Sequence, residues 1–147
     1  MAAIAIDKSP LFVGTGPATF SNLTSYDKGI NGIGIDLQGY HGSITADDFT
    51  LRLGNNNSPA DWTAAPAPLS VTVYGTSGVG NSDHIELIWA DGAIQNEWLE
   101  VTIAANSDTR LSAPETFYFG NAVGNTGYGD TTSNALVNAL DEAGVRA

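Results

Sequence analysis

Short runs in which every second residue is apolar recur along most of the chain, and this alternation constrains the fold more than any other feature. It is the pattern of a β-strand that buries one face and exposes the other. Helical periodicity is nearly absent before residue 130. The sequence therefore predicts an all-β fold, an antiparallel β-sandwich of jelly-roll or immunoglobulin-like type with about eight strands. The strand candidates are 33–37, 49–53, 71–74, 85–89, 99–103 and 117–119, with weaker ones at 12–13 and 18–20.

The composition changes towards the C-terminus. The Gly-, Asn-, Ser- and Pro-rich stretches between the strand candidates are all too short to be interdomain linkers. Residues 121–129 are rich in glycine, and 135–145 is the one convincing helical pattern. We expect a β-sandwich domain over 1–122 and a separate tail over 123–147.

The charge balance narrows the possible partners. Five Lys and Arg against sixteen Asp and Glu give the 147 residues a formal net charge of −11. Such a surface repels polyanions, which argues against nucleic acid and anionic membranes as partners. The absence of cysteine excludes disulfides, zinc–thiolate sites and cysteine nucleophiles. No apolar run approaches the roughly 20 residues of a membrane-spanning helix.

A run of oxygen-bearing residues in the tail has the spacing of a calcium-binding loop. An EF-hand loop supplies ligands from positions 1, 3, 5, 7, 9 and 12, because a hard cation must be surrounded by oxygens from one tight turn. Counted from Asp130, each of these positions offers an oxygen, with a backbone carbonyl at position 7 and Asp141 at position 12. The predicted calcium ligands are Asp130, Thr132, Asn134, the carbonyl of Leu136, Asn138 and Asp141.

This loop, and the string Val-Asn-Ala-Leu-Asp at 137–141 in particular, resembles one half of a type I dockerin, the module that docks into cohesins in bacterial polysaccharide-degrading assemblies. The resemblance implies bound Ca²⁺ and a cohesin-like partner. Ala135 stands where the family prefers glycine, Thr132 where it prefers Asn or Asp, and one loop is present where a dockerin has two. The alternative is that Asp130, Thr132 and Ser133 form a turn and the N-cap of a terminal helix.

The body of the chain carries a second resemblance. Its strings at 24–32, 48–56, 87–91 and 117–121 look like a β-sandwich region found just before dockerin-like tails in large secreted bacterial proteins. Such regions are similar to carbohydrate-binding modules. The resemblance implies a secreted or cell-surface location and a polysaccharide as ligand.

Aromatic side chains offer a possible sugar-binding surface, because pyranose rings can stack their C–H faces on flat aromatic rings. Strand parity places Trp98 and Tyr74 on faces that point away from the core, and it places Trp89 in the core. Trp62 lies in the loop 59–63, which could lift it to the rim. The alternative is that each ring fills a gap beneath a loop. With their polar neighbours, the predicted ligand-binding residues are Trp98, Trp62, Tyr74, Arg52, Gln95, Asn96 and Glu100.

Signals of catalysis are weak. His41 and His84 have neither a nucleophile motif nor metal-ligand spacing, so we expect both to be solvent-exposed structural residues. Most acidic residues lie beside turn residues, where they more often form turns than catalyse. A second calcium site in the body stays open as an alternative. Its candidate ligands are Asn31, Asp36, Asp47 and Asp48.

We therefore expect a non-catalytic polysaccharide-binding module from a secreted glycan-degrading protein. The alternative is a structural or adhesive β-sandwich spacer of a large surface protein, with a calcium-dependent association tail. An accessible tryptophan favours the binding module, and well-shielded tryptophans favour the spacer.

Overall fold

The described residues contain nine strands, which are arranged in two sheets. The computed structural model describes residues 5–131 together with residues 135, 137 and 141. The strands are β1 Leu11–Phe12, β2 Leu23–Thr24, β3 Gly32–Leu37, β4 Phe49–Gly54, β5 Thr63–Ala64, β6 Ser70–Tyr74, β7 Asp83–Ile88, β8 Trp98–Ile103 and β9 Glu115–Asn121. Short 3-10 turns lie at Phe20–Asn22, Ala46–Asp48, Pro59–Asp61 and Val79–Asn81.

The strands pair into a larger and a smaller sheet. The larger sheet has the order β1-β9-β8-β4-β5, and the short β2 pairs with β9 in parallel. The smaller sheet has the order β3-β7-β6. All other strand pairs are antiparallel, so the predicted all-β, sandwich-like architecture is confirmed. Among the described residues, no helix is long and apolar enough to span a bilayer.

The hydrophobic core lies between the sheets and is built by the alternation seen in the sequence. Ile85 and Leu87 of β7 are 0 % exposed, as is Leu99 of β8. Trp89, directly after β7, is 3 % exposed, and its indole N–H donates to the carbonyl of Pro66 at 2.8 Å. The prediction that Trp89 belongs to the core is confirmed, and its one polar atom is satisfied there.

One weak strand candidate is wrong. Residues 18–20 do not form a strand, and the 3-10 turn Phe20–Asn22 begins there instead. Asn22 explains the difference, because its Oδ1 accepts a hydrogen bond from the Thr19 N–H at 2.9 Å and its Nδ2 donates to the Ser9 carbonyl at 3.0 Å. A side chain that satisfies nearby backbone groups in this way favours a turn over a strand.

The substitution Leu99→Ala tests whether the inward face of β8 supports the core. Leu99 is 0 % exposed, so its truncation should leave a cavity and lower the free energy of unfolding by about 2–5 kcal/mol. Urea denaturation followed by far-UV circular dichroism measures the change. Thr50→Ala, at an exposed position of the neighbouring β4, is the matched control and should change stability by less than about 0.5 kcal/mol. Equal effects of the two substitutions would contradict this assignment of the core.

Candidate functional site

The outward face of the larger sheet carries two neighbouring rows of residues that run across the strands. The first row joins Tyr118 of β9, Glu100 of β8 and Arg52 of β4, which the strand register places side by side. Tyr118 donates its hydroxyl hydrogen to Glu100 Oε2 at 2.9 Å. Arg52 Nε lies 4.0 Å from Glu100 Oε1. This polar row fixes the position of the Tyr118 ring.

The second row joins Gly120, Trp98 and Gly54, and its glycines make room for two indole rings. A Cβ at Gly54 would clash with the five-membered ring of Trp62. A Cβ at Gly120 would lie 3.0 Å from two atoms of the Trp98 six-membered ring. Both indoles therefore pack over bare backbone. Trp98 lies on the face of β8 opposite the buried Leu99, as strand parity predicts.

Trp62 reaches this face from the 3-10 turn Pro59–Asp61, which immediately precedes it. Its indole N–H donates to both the backbone carbonyl and the Oδ1 of Asn56, at 3.1 and 3.0 Å. The Trp62 ring stands at 81° to the Tyr118 ring, with 5.8 Å between the centroids. This edge-to-face contact is favourable for aromatic pairs. The orientation of Trp62 is thus set by a hydrogen bond on one side and a ring contact on the other.

A groove of about 770 Å³ lies over these two rows. Trp98 and Tyr118 line its floor, Trp62 and the loop 55–57 line one side, and the segment 11–20 lines the other. The tail contributes Asp130, Thr131 and Ala135 to the described lining. The volume falls within the range of about 300–1,000 Å³ that is typical of ligand-binding pockets.

The structure brings four of the seven predicted ligand-binding residues to this face. Trp98 and Trp62 line the groove, and Arg52 and Glu100 belong to the polar row beside it. Tyr74 is not among them, because it lies on β6 of the smaller sheet, where its ring contacts His84 at 6.4 Å between centroids. The parity rule gives the face of a strand, but it does not give the sheet to which that strand belongs.

Gln95 and Asn96, the other two predicted residues, tie loops together before β8. Gln95 Nε2 donates to the carbonyl of Asp27 at 2.8 Å. Asn96 Oδ1 accepts from the N–H of Val123 at 2.9 Å, and its backbone carbonyl accepts from Asn55 Nδ2 at 3.1 Å. The backbone of Asn96 thus holds the rim loop 55–57 through Asn55, and neither side chain lines the groove.

Sequence reasoning missed Tyr118 as a member of the site. Tyr118 lies between Phe117 and Phe119 in a predicted strand, and the same parity rule that turns Trp98 outward turns Tyr118 outward as well. The loop 55–57 was also missed, because a run of asparagines is typical of a turn as much as of a binding site. Its position beside Trp62 depends on how β4 ends and is not visible in the local sequence.

Both histidines differ from the expectation of solvent exposure. His41 is 2 % exposed, and its backbone N–H donates to Asp83 Oδ2 at 2.5 Å. The N–H groups of Thr76 and His41 hold the pKa of the Asp83 carboxyl below its usual range. His84 Nδ1 lies 2.6 Å from Asp36 Oδ1, and its side chain is 15 % exposed. The first contact anchors the loop after β3, and the second is a cross-strand pair between β7 and β3. The sequence pattern indicated neither.

The two described ends of the predicted calcium loop converge on one short segment. Asp130 Oδ1 accepts from Asn125 Nδ2 at 2.9 Å. Asp141, which is 3 % exposed, accepts at Oδ1 from the N–H and the hydroxyl of Thr126 at 2.7 and 2.9 Å. Because Asn125 and Thr126 are adjacent, loop positions 1 and 12 lie near each other. The other predicted ligands, Thr132, Asn134, Leu136 and Asn138, lie outside the described residues, as does most of the helix predicted over 135–145.

Three of the four residues predicted for a second calcium site in the body bind separate partners, and the fourth, Asp47, is exposed. Asn31 Nδ2 donates to Asp91 Oδ1 at 2.9 Å. Asp36 Oδ1 pairs with Nδ1 of His84, and Asp48 Oδ2 accepts from the Thr45 N–H at 2.8 Å. Within the described ranges, no group of three or more His, Asp or Glu side chains is arranged to hold a metal ion.

No protein-family model matches the chain, and no curated protein and no solved structure is significantly similar to it. What the groove can bind is therefore argued from the residues around it. They provide two indoles and a phenol of fixed orientation, amide side chains at the rim, and a nearly buried carboxylate beside the phenol.

The hydrogen bond between Tyr118 and Glu100 can be tested by titration. Burial, followed by the hydrogen bond to Glu100 and the negative charge of that residue, raises the pKa of the Tyr118 hydroxyl to about 12. We expect Glu100→Gln to lower this pKa part of the way towards the ordinary value near 10, because burial remains. Ring-carbon NMR shifts of Tyr118 across the alkaline range measure the change.

The same titration affects stability. The folded state holds the Tyr118 proton more tightly than the unfolded chain, so the free energy of unfolding should fall as the pH rises from about 10 to 12. This fall should be smaller in Glu100→Gln. Glu115→Gln, at an exposed position of β9, is the control and should leave the Tyr118 titration unchanged. An unchanged pKa in Glu100→Gln would contradict the proposed coupling.

Proposed function

We propose that the protein is a non-catalytic carbohydrate-binding module that holds a polysaccharide in the groove over β8 and β9. The observation that carries the proposal is the convergence of Trp62, Trp98 and Tyr118, from three separate elements, on one open groove. Rings that only filled gaps beneath loops would be fully buried, whereas all three keep part of their surface accessible. The accessible indoles favour the binding module over the spacer hypothesis.

The rings of Trp62 and Tyr118 are held in fixed orientations in the absence of a ligand. The Trp62 N–H is bonded to Asn56 and the Tyr118 hydroxyl is bonded to Glu100, so the polar edges of both rings are already satisfied. What these rings offer a ligand is mainly apolar surface, which gains about 25 cal/mol for each Å² removed from water. Because the rings are held in place, binding loses little conformational entropy.

Amide groups at the rim can supply the polar part of recognition. Asn55 and Asn57 are exposed in the loop beside Trp62. An amide side chain has two N–H donors and a carbonyl acceptor, which suits sugar hydroxyl groups that both donate and accept. In such sites a few placed polar groups fix the orientation of a ligand held by apolar contact.

Binding without turnover is supported by the positions of the acidic residues. Glycoside hydrolysis generally uses two carboxyl groups roughly 5–10 Å apart on either side of the scissile bond. Asp130 is the one acidic side chain in the described lining of the groove, and Glu100 beside the floor is bonded to Tyr118. We propose that catalysis belongs to another part of a larger secreted or cell-surface protein, to which this module brings the glycan.

We also propose that the tail binds Ca²⁺ and serves association with a cohesin-like partner. Support comes from Asp130 and Asp141, whose carboxylates are held by the adjacent residues Asn125 and Thr126. Carboxylate oxygens are ligands that Ca²⁺ prefers, and these two belong to positions 1 and 12 of the loop. When bound, the ion would supply a cross-link between the ends of the loop. The ligand set proposed is Asp130, Thr132, Asn134, the Leu136 carbonyl, Asn138 and Asp141.

The stacking proposal predicts that Trp98→Ala and Trp62→Ala each weaken polysaccharide binding at least about tenfold, which corresponds to about 1.4 kcal/mol. Affinity gel electrophoresis against a panel of plant and algal polysaccharides finds the ligand, and calorimetry measures the loss. Tyr40→Ala is the matched control, because Tyr40 is 72 % exposed and lies outside the groove. Absence of binding to every glycan tested would reject the module and favour the structural spacer.

The calcium proposal predicts a local response in the tail. Millimolar Ca²⁺ should shift the NMR amide signals of Asn125 and Thr126, with a Kd near 10⁻⁴ M, because the loop has only two carboxylate ligands. Asp141→Asn should remove the response, since position 12 closes the coordination sphere. Asp27→Asn, at an exposed acidic position in the body, should retain it. Unchanged amide signals at millimolar Ca²⁺ would identify the tail as an ordinary capped helix.

A further inference from the structure

We infer, on the basis of the proposed carbohydrate-binding function, that the groove selects a neutral glycan that enters as a single chain. Anionic polysaccharides and the flat faces of crystalline polysaccharides would both be rejected. Three features of the described residues support this ligand class: the angle between the rings, the walls on either side of them, and the charges around the groove.

The ring geometry does not fit a flat surface. A crystalline face contacts several aromatic rings together only when those rings share one plane. Trp62 and Tyr118 are instead at 81° to each other, with centroids 5.8 Å apart. A single chain can place one sugar against the face of one ring and pass along the edge of the other, which a rigid plane of chains cannot do.

The walls of the groove lead to the same conclusion. Trp98 packs down over Gly120 on the sheet surface, so its accessible face lies on the groove floor. The loop 55–57 stands on the β4 side of this floor, and the segment 11–20 stands on the β1 side. A broad surface would meet these walls before it reached Trp98, whereas one chain fits between them.

The charges disfavour an anionic ligand. Asp130 is the one charged side chain in the described lining, and the whole chain carries a net charge of −11. Two cationic side chains that contact lining residues of the groove are already engaged. Arg52 lies 4.0 Å from Glu100, and Lys8 lies 3.9 Å from the centroid of the Phe20 ring, on which it packs. A sulfate or uronate group would therefore meet repulsion with no Lys or Arg of the described lining to receive it, and a Ca²⁺ ion at Asp130 would offset only two of the eleven net negative charges.

Matched glycan pairs test this ligand class on the full chain. One set of affinity gels compares a sulfated galactan with its desulfated form. A second set compares polygalacturonate with three neutral glycans: galactomannan, xyloglucan and mixed-linkage β-glucan. Sedimentation compares swollen amorphous cellulose with microcrystalline cellulose. We expect retardation by at least one neutral soluble glycan, none by the anionic ones, and no depletion by the crystalline solid.

The salt dependence gives a second measurement. Binding of a neutral chain should change less than about twofold between about 0.01 M and 1 M NaCl, over which the Debye length falls from about 30 to 3 Å. Trp98→Ala should remove the retardation, and Trp62→Ala provides an independent variant if the first is unstable. Tyr40→Ala should behave as the unmodified protein.

Each other outcome overturns the inference in a recognisable way. Retardation by the sulfated galactan or polygalacturonate that weakens with salt would show an anionic ligand, with the carbohydrate-binding function intact. Depletion by microcrystalline cellulose that depends on Trp98 would show a surface binder, again with the function intact. Failure of every glycan would reject the proposed function together with the ligand class.

Discussion

Side-chain alternation along β8 is the constraint on which both the core and the groove depend. Leu99 and Val101 point inward and are fully buried, while Trp98 and Glu100 point outward. Since β8 lies between β9 and β4, both of its edges are hydrogen-bonded to neighbouring strands. A slip of one residue in the register would turn the indole and the carboxylate into the core and bring the aliphatic side chains out. The burial that stabilises the sandwich therefore also positions the site.

Two glycines on the neighbouring strands complete this arrangement. Gly54 and Gly120 are the register partners of Trp98, one on each side. A larger residue at either position would push an indole off the sheet. The floor of the groove is flat because neither position carries a side chain. The polar row alongside, from Tyr118 through Glu100 to Arg52, then holds the third ring at its angle.

Local patterns in the sequence predicted the long strands and the outward face of β8, because parity is a property of a few consecutive residues. They did not predict which strands are neighbours, which depends on contacts between residues far apart in the chain. For that reason the sequence does not predict that the Trp62 ring contacts the Tyr118 ring. Nor does it show that Tyr74 lies in the smaller sheet, apart from the predicted site residues on the larger one. Tyr118 itself obeys the parity rule and could have been found. The burial of His41 arises from loop packing, which leaves no periodic signal.

The anchoring of two loops on Asp83 has a consequence for how this scaffold can be altered. Both of its carboxylate oxygens accept backbone hydrogens, one from Thr76 in the loop after β6 and one from His41 in the loop after β3. Asp83 therefore holds both loops on the smaller sheet, away from the groove. Grafting either loop onto another protein would require both loops and Asp83 together, whereas residues of the larger sheet can be redesigned without disturbing these hydrogen bonds.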